Sequence, residues 1–105
     1  PAFAKISEMG IRYSAIPGHT TELAAALNEN AVNAISRKEY AKAVELLEKS
    51  EVTAKSAELL TTLGVAYAGA GQYDKAEDAF RRAAETGSET ARHNLEEVRQ
   101  VIDQL

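Results

Sequence analysis

The sequence predicts an all-α chain, an α-α superhelix of two helix-turn-helix repeats closed by a C-terminal capping helix. Three observations predict it. The motif Tyr40-Ala41-Lys42-Ala43 recurs as Tyr73-Asp74-Lys75-Ala76, 33 residues further on. Self-similarity at such a period is the mark of stacked helical repeats, each too small to bury its own apolar face. Apolar residues recur at three- and four-residue spacings, which line one side of a helix. Small and helix-breaking residues fall between these stretches.

The internal similarity reaches beyond the motif. Ala24 aligns with Ala57, Leu27 with Leu60, Ala31 with Gly64 and Leu47 with Phe80. The reading is therefore an N-terminal arm or short helix over 1–19 and a repeat domain over 20–105. The repeats cover about 24–56 and 57–88, and the cap covers 89–105.

The first unit starts after Pro17-Gly18, where Thr20 or Thr21 can cap a helix beginning near Glu22. Leu23, Leu27, Ala31, Ala34 and Ile35 form its stripe, and Arg37-Lys38-Glu39 makes the turn to a partner helix over about 40–50. Residues 51–56 link the repeats. In the second unit Leu59, Leu60, Leu63, Ala66, Tyr67 and Ala70 define the first helix, and Gly69 and Gly71 supply the stop. Tyr73, Ala76, Ala79, Phe80 and Ala83 define the second, which ends at Thr86-Gly87. Ser88 is a good N-cap for the last helix, with Glu89 in its first turn. There Ala91, Leu95, Val98, Ile102 and Leu105 oppose Arg92, Glu96, Arg99 and Asp103. One apolar stripe and one charged face make a solvating cap. In the arm, Phe3, Ile6, Met9 (or Gly10) and Tyr13 fall at helical spacing, so this segment reads as a short amphipathic helix or an extended strap.

Composition sets limits on function. The chain has 105 residues, room for one domain. Twelve basic against sixteen acidic residues give a net charge of −4, with no basic footprint for nucleic acid and no attraction to anionic lipid. Cysteine is absent, which removes disulfides, thiolate metal sites and a cysteine nucleophile. No apolar run approaches a membrane span, so direct membrane insertion is not expected. The expected protein is soluble, cytoplasmic or, if a leader was removed before Pro1, periplasmic or exported. No nucleophile–base pairing, phosphate-binding glycine loop or acidic metal cluster stands out. No catalytic residue, cofactor or metal is expected, and the chain does not read as an enzyme.

Residues 57–88 resemble a tetratricopeptide repeat. That family places a large residue, Leu-Gly, an aromatic, then Ala, an aromatic and Ala at fixed spacings, and Leu60, Leu63-Gly64, Tyr67, Ala76, Phe80 and Ala83 stand in those places. The closing proline is missing, with Ser88 near its position. Residues 24–56 resemble a degenerate copy. They keep Ala31, Tyr40, Ala43 and Leu47 but carry Asn30 in place of Leu and Ala34 in place of an aromatic. The alanine-rich style resembles bacterial members.

The resemblance implies that the first helix of each pair lines a concave groove that binds another protein or peptide. Its groove-facing positions fall on Asn28, Val32, Ile35, Thr61, Val65 and Ala68, with His93 and Glu97 added by the cap. This mostly apolar surface suits an extended or helical peptide with small hydrophobic anchors. The carboxylate clamp of chaperone-binding members needs Lys, Asn and Arg in the groove. The matching places hold Asn28, Val32 and Thr62, so two basic groups are lacking and that specificity is not expected. His93 and Glu97 have the i, i+4 spacing of zinc ligands, but no third ligand is evident and an ordinary surface pair is the better reading. His19 reads as a loop residue, the tyrosines as packing residues, and Arg81-Arg82 as a solvated helix face.

A structural subunit is the competing expectation. Two repeats are fewer than the three usually needed for independent stability. The arm residues Phe3, Ile6, Met9 and Tyr13 offer an apolar stripe for self-association as a homo-oligomer. Light scattering separates the two: an adaptor is a monomer, whereas an arm-connected assembly has a multiple mass that Phe3→Ala with Ile6→Ala lowers.

Overall fold

A computed structural model describes residues 22–50 and 53–105. Five α-helices form there: α1 (Glu22–Ser36), α2 (Tyr40–Glu48), α3 (Ala57–Gly69), α4 (Tyr73–Glu85) and α5 (Glu89–Asp103). A 3-10 turn, Thr53–Lys55, stands between α2 and α3. There are no strands among the described residues, and the all-α repeat architecture is as expected. The arm, with Phe3, Ile6, Met9 and Tyr13, and the caps at Thr20 and Thr21 lie outside the described residues.

Each helix follows from its sequence. Ala24, Ala31, Ala34 and Ile35 bury one side of α1, while Ala43 and Leu47 do the same for the shorter α2. The Ser56 hydroxyl accepts from the Leu59 amide at 3.2 Å and caps α3. Ser88, itself buried, accepts from the Ala91 amide at 3.1 Å and caps α5. Each such bond satisfies one of the amides that a helix start leaves without a partner.

Three turns share one geometry. After α1, the Glu39 amide donates to Ala34 and the Lys38 amide to Ile35. After α3, Gln72 donates to Tyr67 and Gly71 to Ala68; after α4, Ser88 donates to Ala83 and Gly87 to Ala84. This is the paired C-terminal closure that requires a left-handed residue. Lys38, Gly71 and Gly87 supply it, with φ of 63°, 80° and 98°. Lys38 and Gly71 lie 33 residues apart, so the sequence period reappears in the backbone. Lysine is the poorer choice, because a Cβ in this region costs about 1–2 kcal/mol.

The helices stack as antiparallel pairs, α1 with α2 and α3 with α4, and α5 packs mainly on α4. The centre of the stack is α3, which meets every other helix and is buried without interruption from Leu59 to Gly69. A helix apolar on all sides belongs inside a protein, and α3 is one. The amphipathic α4 buries Ala76, Ala79, Phe80 and Ala83 and exposes its charged side. Exposed Arg81 there bridges Asp78 and Glu85 at 2.5 and 2.9 Å.

Gly64 on α3 and Phe80 on α4 approach closely in the core. A Cβ built on Gly64 would lie 2.6 Å from Phe80 Cδ1 and 2.8 Å from Cζ, well inside van der Waals contact with the ring. Gly64→Ala is therefore expected to cost about 1–3 kcal/mol by overpacking. Phe80→Leu leaves a partial void, and the two changes together should cost less than their sum because each relieves the other. Urea denaturation of the four proteins measures this, and strict additivity would place the strain elsewhere.

Candidate functional site

The first helices of the pairs and the cap, α1, α3 and α5, share one side of the stack, with α3 against both of the others. The groove positions projected from the sequence divide by burial. Thr61, Val65 and Ala68 on α3 are 0, 1 and 0% exposed, and Ile35 on α1 is 4% exposed. Asn28 and Val32 on α1 and His93 and Glu97 on α5 are half-buried. The α3 residues are thus fully buried, and Asn28, Val32, His93 and Glu97 lie half-buried on the two helices beside α3.

Local bonding explains these placements. Asn28 spans from α1 to α3: its amide donates to Glu58 Oε1 at 3.0 Å, and its carbonyl accepts from the Thr62 hydroxyl. Thr62 is fully buried, so this bond replaces hydration that the folded chain cannot offer. Asn28 therefore ties the two helices together, which the sequence projection of a groove-facing amide did not show. Thr61 turns its hydroxyl back onto the Ala57 carbonyl at 2.7 Å, which leaves its methyl as the surface it offers its surroundings. His93 and Glu97 sit one turn apart on α5. Among the described residues, no three His, Cys, Asp or Glu side chains are grouped to hold a metal.

A second concavity lies on the opposite side, between α2 and α4. This cleft of about 340 Å³ is bordered by Glu48, Leu63, Tyr67, Lys75, Asp78 and Arg82. The Tyr67 hydroxyl donates to the Glu48 carboxylate, and Lys75 Nζ stands 5.8 Å from the ring centroid. Beside it, buried Thr53 carries a hydroxyl without a hydrogen-bond partner among the described residues. Sequence reading placed Tyr67 as a packing residue, and exposed Glu48 reaches it from α2. The only available signal for their pairing was the aromatic landmark of the repeat, which carries no information about α2.

Residues 57–86, which comprise α3 and α4, match the family model of the tetratricopeptide repeat. The matched pair is by that match a tetratricopeptide repeat, and it contains the helix at the centre of the stack. Comparison with curated proteins and with solved structures gives no match. Among the described residues no helix is long and apolar enough to cross a membrane.

Burial first, and then the Glu48 carboxylate, push the Tyr67 phenol well above the usual tyrosine range. A raised folded value means that its contribution to stability is complete below the unfolded value of about 10 and is lost as pH rises beyond it. The urea midpoint of the wild type should fall between about pH 10 and 12, and that of Tyr67→Phe should fall less steeply. Equal falls would assign the alkaline loss to other groups.

Proposed function

We propose that this protein is an interaction module, a scaffold or adaptor that binds a partner polypeptide on the face formed by α1, α3 and α5. The observation that carries this reading is the tetratricopeptide pair α3–α4 held between α1–α2 and α5, so that the first helices stand side by side. Such a stack leaves one long face built from first helices, and repeat folds use faces of this kind for extended binding surfaces.

The chemistry of the face suits a peptide rather than a small charged ligand. Thr61, Val65 and Ala68 back this face as a buried, uncharged layer, with the Thr61 hydroxyl spent on the Ala57 carbonyl. Val32 offers an aliphatic contact on one side, and His93 and Glu97 offer polar ones on the other. A helix or strand with small apolar residues facing α3 and polar residues facing α5 is the complementary partner. Binding of this type needs no reacting group, and the protein acts by holding its partner.

The test is selection of peptides from a displayed random library against the full chain, followed by affinity measurement on variants. Val32→Asp and His93→Glu, both at half-buried sites, should weaken the selected peptides about tenfold or more, a loss of roughly 1.4 kcal/mol, with unchanged helicity. Glu45→Lys on the exposed side of α2 should leave them unaffected. Peptides insensitive to Val32→Asp and His93→Glu would remove the face from consideration.

A further inference from the structure

The inner part of the α2–α4 concavity has the form of a small-molecule site, apart from the interaction face. Leu47 of α2 and Leu60 and Leu63 of α3 line a space of about 190 Å³ there, and all three are buried. Around this apolar base stand Glu48, Thr53 and Arg82. Glu48, Leu63, Tyr67 and Arg82 also border the outer cleft, so the two spaces adjoin. An apolar pocket with a few convergent polar groups is the usual form of a ligand site. Its volume is below the ~300–1,000 Å³ of pockets for drug-sized molecules, which limits the occupant to a smaller one.

The polar groups around this base have unspent bonding capacity. Thr53 is 4% exposed, and its hydroxyl is buried without a hydrogen-bond partner. Such orphans are few in folded proteins, and one that lines a cavity points to a bonding group that is missing. The Arg82 guanidinium has a single ion contact among the described residues, with Asp78 at 3.9 Å. Asp78 is itself held by Arg81 at 2.5 Å. Glu48 accepts from the Tyr67 hydroxyl through one oxygen, which leaves its other oxygen to accept again. Both charges act on the Tyr67 phenol, the carboxylate raising its pKa and the guanidinium lowering it, so they stand about one point. Among the described residues no ion pair joins them.

We propose that this pocket binds a small aliphatic α-amino acid as its zwitterion. The carboxylate lies between the Arg82 guanidinium and the Thr53 hydroxyl, which a turn about χ1 brings to the pocket surface. The ammonium meets the open oxygen of Glu48, and the side chain rests on Leu47, Leu60 and Leu63. A plain carboxylate would face the Glu48 charge without compensation, and a plain amine would face Arg82 in the same way. A zwitterion satisfies both. Such a ligand joins α2, the 3-10 turn and α4, which belong to both repeats and the link between them. Bound by the folded chain alone, it raises the melting temperature as its concentration rises.

Isothermal titration calorimetry of the full chain with L-leucine tests this. The expected result is saturable binding that Thr53→Val and Arg82→Gln each weaken about tenfold or more, because hydrogen bonds to charged groups are the stronger ones. Leucinamide lacks the carboxylate and isocaproate lacks the ammonium, and each should bind about tenfold or more weakly than leucine. Arg92→Gln, at an exposed arginine of α5, should leave the affinity unchanged. Thr53→Val also reports on the unliganded protein. It removes an unpartnered buried hydroxyl and nearly keeps the shape of the side chain, so its urea midpoint should equal or exceed that of the wild type. A lower midpoint would show that the hydroxyl is bonded in the folded chain, and it overturns the proposal. The absence of saturable leucine binding does so too, as does binding that Thr53→Val and Arg82→Gln leave unaltered. Isocaproate binding as tightly as leucine is equally fatal, since Glu48 would then have no part. None of these readouts involves Val32 or His93, so the pocket and the interaction face stand or fall separately.

Discussion

The crossing of α3 and α4 at Gly64 is the constraint on which the rest of the structure depends. The Phe80 ring packs directly against the Gly64 backbone and leaves no room for a Cβ there. Ala76, Ala79 and Ala83 keep the facing side of α4 equally low. This approach fixes the pitch of one helix pair, and a stacked array passes that geometry from each pair to its neighbour. The position of α5 follows from it, because α5 packs principally on α4 and closes over Leu60 and Ala83 through Ala91.

Apolar burial alone would hold these helices together without deciding their relative rotation, because it has no direction. Two buried or half-buried polar links supply that direction. Asn28 uses both ends of its amide on α3, and Tyr67 reaches across from α3 to Glu48 on α2. Each would leave polar atoms without partners if the first pair rotated against the second, at a cost of about 1–3 kcal/mol per unsatisfied group. The register between repeats is thus set by directional bonds and the register within the second repeat by steric fit. Thr61, Val65 and Ala68 belong to the same helix that anchors everything else.

The comparison of the two units shows how much was legible in residues alone. Lys38 and Gly71 make the same pair of backbone bonds in the same left-handed conformation, although one is lysine and the other glycine. Sequence identified this turn in both units, through the motif that follows it, but gave no sign that Lys38 would adopt a conformation usually left to glycine. Likewise the aromatic and small landmarks of the second unit located its crossing, since Gly64 and Phe80 are separated by a fixed helical geometry. The groove positions were legible only as directions around a helix. Direction is a local property, whereas the burial of Thr61 and Val65 and the commitment of Asn28 to Glu58 and Thr62 depend on what stands opposite.

The sequence by itself determined the helices, the cap at Ser88, the stops at Gly71 and Gly87, and the tetratricopeptide pair. All of these rest on interactions within about one helical turn or on one 33-residue period. Only the tertiary structure decided that α3 would be buried on every side, that Tyr67 would bond to Glu48, and that Asn28 would bond to Glu58 and Thr62. Those outcomes join residues 19 to 34 positions apart, and no local pattern encodes which partner a side chain will meet. They follow from the close crossing at Gly64 and the stacking it imposes.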